Sequence, residues 1–515
     1  VQGLKQVFLG LAIHNHQPVG NFPWVFEQVY LSAYLPMIEA LERHPSVRLS
    51  LHYSGILLDW LRRNRPELLQ LIRRLVDRNQ VEIMTGGYYE PVLSAVPDID
   101  RLGQIEKLNA AVQSDFGYSP NGLWLAERVW EPHLAQTLAR AGVLWTVVDD
   151  THFRLAGLGE EDLFGYYITE EQGHTIRVFG TSKRLRYLIP WREVEEVIDF
   201  LREQATEGGT RIAVMGDDGE KFGSWPGTYQ LCWQEGWVES FFTALEENAS
   251  WLRTVPLGEY AVSNSALGRI YLPCAAYDEM MEWALPSSRS LQLSSLRREL
   301  EAQERHDIVQ YLSGGFWRNF LVKYPEINTM HKKMLRVHEK VYRARRVSRA
   351  DCGLDDLWQA QCNCPYWHGV FGGIYMTDIR AATHHHLIEA ENKADKVLRK
   401  GSWLNCEQVD FDCDGQEELL VDSDALMLYI DPARGGSIFE WDLRRHSYNL
   451  ASVLTRRPEA YHHALDAMEG AGDGSKVRTI HDGIQLKEKG LRRHLHYDRY
   501  RRACMVDHVL GAGVT

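Results

Sequence analysis

Glu67–Pro91 reads ELLQLIRRLVDRNQVEIMTGGYYEP, and this stretch sets the architecture of the first half of the chain. Leu68, Leu69, Leu71, Ile72, Leu75 and Val76 recur at helical spacing, so Glu67–Arg78 is expected to form a helix with one apolar face. Val81–Met84 (VEIM) follows as a short β-prone run, and its far end opens into a polar loop, Gly86–Pro91 (GGYYEP). A helix feeding a strand that ends in a polar loop is the repeating unit of a parallel α/β fold.

The unit recurs on both sides of that stretch. Val7–Ile13 (VFLGLAI) and Val47–Tyr53 (VRLSLHY) are strands before it. After it come Gly122–Ala126 (GLWLA), a helix near His133–Ala141, then Leu144–Val148 (LWTVV) and Ile176–Phe179 (IRVF). A helix over Glu193–Gln204 leads into Arg211–Met215 (RIAVM). About seven strands predict an α/β fold built on a (β/α)7 barrel, one unit short of the common eight. Polar clusters follow the strand ends: His14-Asn15-His16-Gln17-Pro18, Gly86–Pro91, Glu127-Arg128-Val129-Trp130-Glu131-Pro132 and Gly216-Asp217-Asp218-Gly219-Glu220-Lys221. In a parallel barrel those ends converge on one mouth, so groups distant in sequence become neighbours.

From Trp237 to Arg346 the pattern turns helical, with a basic, Met-bearing helix around Thr329–Arg345. Cys362–Gly373 is a loop rich in Gly and aromatic residues, and another helix is expected over Tyr375–Leu398. Beyond Lys400 the helical period gives way to β-type alternation, as in Ala425–Ile430 (ALMLYI). The expected domains are a catalytic barrel (1–235), a helical region completing the site (236–401) and a β-sandwich domain (402–515), the last expected to be incomplete.

The chain has 515 residues, 44% hydrophobic and 25% charged, a globular composition of more than one domain. Its formal charge of −13 disfavours nucleic acid and anionic membranes as partners, because both repel an acidic surface. No run is apolar enough to span a bilayer, and Val1–Gly10 lacks the layout of a secretory signal. Eight Cys without a disulfide framework fit a reducing compartment, so a cytoplasmic location is expected; because the chain starts at Val1 rather than Met, a leader upstream stays open. The 16 Trp and 23 Tyr suit either large cores or the stacking of sugar rings.

Breaking a glycosidic bond needs one protonated carboxyl and one carboxylate. Glu127 lies among Trp124, Arg128 and Trp130, where burial raises a carboxyl pKa and a cation lowers it. Asp218 lies among Asp217 and Glu220, where mutual repulsion favours one retained proton. Each also reads as an ordinary surface feature, an ion pair at Glu127-Arg128 and a turn at Asp217-Asp218-Gly219.

His14–Phe22 (HNHQPVGNF), Gly86–Pro91 (GGYYEP), Trp124–Pro132 (WLAERVWEP) and Asp217–Pro226 (DDGEKFGSWP) carry a closer likeness, extended by Met330–Leu335 (MHKKML) and Pro365–Gly369 (PYWHG). On these motifs the chain resembles glycoside hydrolase family 57, in particular its 4-α-glucanotransferases and their α-amylase relatives. The resemblance covers residues 5–400 strongly and the rest more loosely. It implies a retaining 4-α-glucanotransferase acting on an α-1,4-glucan donor and a sugar acceptor through a covalent glucosyl-enzyme, with Glu127 as nucleophile and Asp218, rather than Asp217, as acid/base. It also implies substrate contacts from His14, His16, Glu90, Trp124, Glu220, Trp225, Trp367 and His368. The fold implied is a (β/α)7 barrel, a helical region and a C-terminal β-sandwich, and a homodimer is entertained as the assembly. Ala126 stands where a Thr is common, Ser224 where a bulkier apolar residue is, and Cys364 where some relatives have an acid.

Hydrolysis of the same bonds by an α-amylase is the alternative, since no motif decides whether water or a sugar hydroxyl enters. A metal-dependent polysaccharide deacetylase, using His14, His16, Asp217, Asp218 and His384–His386, is the third reading. Consecutive helical residues point to different faces, which weighs against joint chelation by His384–His386. A glucan-binding protein without catalysis is set against the presence of both carboxyls. No cofactor is expected for the reaction, and no catalytic metal. Asp410-x-Asp412-x-Asp414-Gly415 resembles the start of a Ca²⁺ loop, but its twelfth position is Val421 rather than Glu; the readings are a structural Ca²⁺ or a solvated acidic turn. Cys362-x-Cys364 is read as loop packing.

Overall fold

The computed structural model describes residues 5–464 and 490–507. The chain divides into two compact units: among the described residues, one runs up to Ala284 and takes in Gln292–Trp317, and the other takes Leu285–Leu291 and those from Arg318 onward.

Seven parallel strands organise the first unit: β1 (Val7–Asn15), β2 (Leu49–Tyr53), β3 (Val81–Met84), β4 (Gly122–Trp124), β5 (Trp145–Asp149), β7 (His174–Thr181) and β8 (Ile212–Asp218). They form two sheet arcs, β3-β2-β1-β8 and β7-β5-β4. Thr85 N–H donates to Gly122 and Trp124 N–H to Thr85, both at 2.8 Å, which joins β3 to β4. Ser182 N–H donates to Val214 O at 2.7 Å, which joins β7 to β8 and closes the ring. Almost every residue of β1 is buried, as expected for a parallel strand covered on both faces. Ala12, Met84, Trp124, Trp145, Val147, Phe179 and Val214 pack together in one core cluster, where Trp145 and Phe179 meet edge-on at 5.9 Å.

Between β5 and β7 lies a strand the sequence reading passed over, β6 (Tyr166–Glu171), antiparallel to β7 through a tight turn. Gln172 and Gly173 both take positive φ there (51° and 81°), the backbone of a two-residue hairpin. Two short strands extend this unit beyond the expected boundary at 235. β9 (Leu252–Thr254) pairs parallel with the start of β1, and β10 (Gly268–Arg269) pairs with β6. The barrel unit therefore needs residues well past 235 to cover its strand edges.

The second unit contains two long helices, Pro325–Val347 and Thr377–Leu398, and an antiparallel five-stranded sheet: β11 (Leu404–Val409), β12 (Glu418–Ser423), β13 (Leu426–Asp431), β14 (Ser437–Leu443) and β15 (Tyr448–Asn449). Burial alternates along β12 and β13, the period-two pattern of a sheet with one covered face. That covered face is partly ionic. Lys333 and Lys340, in the helix read from sequence as basic, are both buried; Lys333 donates to Glu440 and Asp442, and Lys340 to Glu391, Asp395 and Asp422. Among the described residues this sheet is partnered by helices.

The acidic loop at 410–418 closes on itself. Asp410 accepts from Asp414 N–H at 3.0 Å and Gly415 N–H at 3.2 Å, the geometry of an acidic turn. His384, His385 and His386 turn towards Glu440, Ser447 O and Asp356, so they do not share a ligand, as their helical spacing requires.

Candidate active site

The register of the barrel brings the strand ends together. His14, last but one in β1, lies opposite His52 of β2 on one side and Asp218 of β8 on the other. Nδ1 of His14 and Nδ1 of His52 are 2.8 Å apart, a hydrogen bond in which one ring donates to the other. His14 also stacks on Trp124 at 4.7 Å and 7°, and its Nε2 lies 3.6 Å from Glu90. Burial, with neighbouring cationic and imidazole groups, holds the His14 pKa well below the usual range, and burial lowers His52 to about 3. Both rings are therefore neutral at neutral pH. His14, His52 and Glu90 are close enough to surround a cation; the two rings share a hydrogen bond through Nδ1 and turn their Nε2 atoms towards Glu90, at 3.6 and 3.9 Å.

Glu127 sits in a sharp loop directly after β4. Glu127 and Arg128 take left-handed backbone conformations in succession (φ 54° and 50°), which non-glycine residues rarely adopt. The loop is held by Arg128 N–H to Leu125 O at 2.8 Å and by Trp130 N–H to Ala275 O at 2.9 Å. This turn lifts the half-buried Glu127 side chain while its neighbours Ala126 and Arg128 stay buried. The Tyr277 hydroxyl donates to Glu127 Oε2 at 2.9 Å. Burial raises the Glu127 pKa, and Arg128, the Tyr277 hydrogen bond, His16 and Arg186 oppose that rise.

Asp217 and Asp218 end β8 and are treated oppositely by their surroundings. Lys221 Nζ donates to Asp217 Oδ2 at 2.7 Å, and Arg186 Nε lies 3.7 Å from the same oxygen. Burial opposes ionisation of Asp217, but Lys221, Arg186 and Arg128 outweigh it and hold the carboxyl below its ordinary range. Asp218 points the other way along the strand. Burial, then the charges of Asp217 and Glu220, push its pKa up to about 8, with Glu127 adding to the rise. Arg186 is itself fixed by Asp149 at 3.0 Å.

Glu220 closes the cluster. It accepts from His16 N–H at 3.0 Å and from the Tyr34 hydroxyl, which in turn accepts from Gln17 at 2.9 Å. Gly223, three residues on, has φ 146°, and a Cβ there would collide with the Ser32 carbonyl. Glycine is thus required where this loop passes the segment Tyr30–Tyr34. Trp225 is half-buried, with Lys221 Nζ 5.8 Å from its ring centre.

Of the residues expected at the site, the first unit holds His14, His16, Glu90, Trp124, Glu127, Asp218, Glu220 and Trp225. The contacts above tie His14, Glu90 and Trp124 into one cluster and His16 and Glu220 into another. Glu127 and Asp218 lie close enough to affect each other's ionisation. Trp367 and His368 belong to the second unit. Trp367 is buried and donates Nε1–H to Asn363 at 2.9 Å. His368 has both ring nitrogens engaged, Nδ1 with Gly372 O at 2.9 Å and Nε2 with the Tyr461 hydroxyl at 3.0 Å. A sugar hydroxyl would hydrogen-bond a ring nitrogen of His368 by displacing one of these partners. Sequence reasoning missed His52, Tyr277 and Arg186, and gave Lys221 no role although it ends the quoted Gly216–Lys221 run. His52 was within the quoted strand and would have been found by aligning strand ends, whereas nothing local marks Tyr277.

Comparison with known proteins gives a consistent picture. The glycosyl hydrolase family 57 pattern matches residues 10–273, and two patterns of the α-amylase/4-α-glucanotransferase type match residues 315–394 (middle domain) and 410–515 (C-terminal). The chain is 44% identical over 506 residues to α-amylase 1 of Dictyoglomus thermophilum, covering 98% of this chain and 73% of that protein. It is 41% identical over 510 residues to the 4-α-glucanotransferase of Thermococcus litoralis, covering 98% of this chain and 75% of that protein. The crystal structure of 4-α-glucanotransferase from Thermococcus litoralis superposes with a TM-score of 0.87 at 39% identity, over 97% of this chain and 73% of that one.

Proposed function

Because the chain belongs to glycosyl hydrolase family 57, we propose that it is a retaining 4-α-glucanotransferase working on α-1,4-glucans through a covalent glucosyl-enzyme. The observation that carries the reading is a pair of mutually interacting carboxyls with different neighbours. Burial raises both carboxyls, but Asp218, beside the anions Asp217 and Glu220, is pushed up to about 8 and keeps a proton at neutral pH, whereas Arg128, the Tyr277 hydroxyl, His16 and Arg186 oppose the rise at Glu127.

In the first step Asp218 gives its proton to the glycosidic oxygen as the C1–O bond breaks, and a Glu127 oxygen bonds to C1. The shortened glucan leaves with that proton. In the second step the ionised Asp218 takes the proton of an incoming sugar hydroxyl, whose oxygen displaces Glu127 from C1. Two inversions return the α configuration. The neutral His14 ring, stacked on Trp124, and the carboxyl of Glu90 offer hydrogen-bonding groups for sugar hydroxyls at the same mouth.

Water in place of the acceptor would make the enzyme an α-amylase, and a relative 44% identical bears that name. Incubation with maltotriose separates the two. Longer oligosaccharides at a constant number of reducing ends are expected; rising reducing ends without longer products would assign hydrolysis. The chemistry is carried by side chains, so activity is expected to persist in excess EDTA, and a Ca²⁺ in the 410–418 loop would be structural. All eight cysteines are free thiols, which supports a reducing, cytoplasmic setting. Among the described residues no helix is long and apolar enough to cross a membrane. Light scattering would test the homodimer.

A further inference from the structure

We infer that Tyr277 is a positioning residue that selects which oxygen of Glu127 attacks the sugar and holds the carboxylate ready to leave it again. The inference rests on the reading of Glu127 as the nucleophile.

The two oxygens of Glu127 are not equivalent. Oε2 accepts the Tyr277 hydroxyl at 2.9 Å, which draws charge onto that oxygen and fixes the rotation of the carboxyl group. Oε1 is left as the oxygen with its lone pairs available to C1. Tyr277 is suited to this task because it stays a donor: burial, then the nearby charge of Glu127, keep its phenol protonated far above neutral pH.

Its position is fixed from several sides. Ala275, two residues before it, makes a two-bond bridge with Trp130, with Trp130 N–H to Ala275 O at 2.9 Å and Ala275 N–H to Trp130 O at 3.2 Å. The segment bearing Tyr277 and the loop bearing Glu127 are therefore tied to one another by backbone. The guanidinium of Arg128 lies 4.6 Å from the Tyr277 ring centre, in reach of its π face, and Trp283 meets the ring edge-on at 6.0 Å. Asp278, the next residue, is held by Lys183 at 2.8 Å, Arg154 at 3.2 Å and Arg297 at 3.4 Å. A residue serving only to fill space would not need a hydroxyl here, since phenylalanine has the same ring.

In the second step the C1–O(Glu127) bond breaks and both electrons return to the carboxylate. The hydroxyl that donates to Oε2 stabilises that returning charge, so the same contact serves both steps. Removing it withdraws a hydrogen bond from the charged form of Glu127, which raises the carboxyl pKa.

The test is Tyr277→Phe, read as kcat, KM and the acid limb of the pH profile. A fall in kcat on the order of a hundredfold is expected, with KM for maltotetraose little changed and the acid limb moved to higher pH. Replacement of Tyr277 by fluorotyrosine, close in shape with a more acidic phenol, provides a second readout: the acid limb moves to lower pH. Wild-type kcat and an unmoved acid limb in Tyr277→Phe, or an unmoved limb with fluorotyrosine, would overturn the inference. Glu127→Gln separates this from failure of the underlying reading. An active Glu127→Gln variant defeats the nucleophile assignment itself, whereas an inactive one alongside an unaltered Tyr277→Phe defeats only the role of Tyr277.

Discussion

Lys221 donates to Asp217 at 2.7 Å, and this bond separates two adjacent carboxyls into a permanent anion and a proton carrier. Asp217 is held ionised, and its charge is the second-largest reason that Asp218 retains a proton up to about pH 8. The pair acts as a unit: one residue carries the proton and the other sets how tightly it is carried.

Asp217→Asn should therefore move the basic limb of the kcat/KM profile to lower pH. The neighbouring negative charge disappears, so Asp218 loses its proton more readily. The same substitution leaves Lys221 buried with the Arg186 carbonyl but without its anionic partner, and a loss of roughly 3–5 kcal/mol is expected in chemical denaturation. A basic limb that stays in place would show that Asp217 does not tune the acid.

Asp218 should be a stability liability. Its carboxyl titrates near 3.8 when exposed and about 8 in the folded chain. Between these values the folded state binds a proton that the unfolded state has lost, so stability falls as pH rises through that window. Asp218→Asn removes the effect. Its Tm is expected to exceed that of the wild type, by more at about pH 8 than at about pH 5, while activity is lost. Calorimetry at the two pH values checks both the sign and the trend.

Lys340 occupies the centre of a buried acidic cluster, within 2.5 Å of Glu391, 3.0 Å of Asp395 and 3.2 Å of Asp422. Its ammonium and the Arg444 guanidinium, 2.6 Å from Asp395 and 3.0 Å from Asp422, together balance the three carboxylates. Lys340→Met should destabilise the second unit by about 3–5 kcal/mol, because the acids remain buried without that ammonium. Denaturant midpoints compared with an exposed control such as Lys396→Met measure the difference.

Gly223→Ala should impair folding or activity although it adds one methyl group. The residue combines φ 146° with close approach to the Ser32 carbonyl, so the added Cβ forces a backbone shift beside Asp218 and Glu220. A wild-type Tm and kcat would mean that this loop tolerates displacement.

The barrel was legible because its strands are short, apolar and separated by helices with a clean period. Each of the seven, from Val7–Asn15 to Ile212–Asp218, falls on a run read from the sequence. The meeting of the strand-end clusters was legible too, since Glu127 and Asp218 lie in polar runs that follow strands and come close enough to affect each other's ionisation. β6 escaped because Tyr166–Glu171 alternates weakly and pairs with its hairpin partner β7 and with the two-residue β10 alone. Tyr277 escaped because it meets Glu127 across 150 positions of sequence, a contact set by tertiary folding alone. The burial of Lys333 and Lys340 escaped for another reason: within a basic helix nothing marks them as buried, and the acids that draw them inward lie on strands and on the helix Thr377–Leu398, up to 109 residues away.

The central claim is that Glu127 forms a covalent bond to the sugar. A fluorinated α-glucosyl fluoride supplies a good leaving group and slows release of the glucosyl-enzyme, so digestion and mass spectrometry can locate the label. The account predicts one added fluoroglucosyl group, on the peptide containing Glu127, with α-configured products from the slow turnover. A label on another residue, or β-configured products with no label, would contradict it.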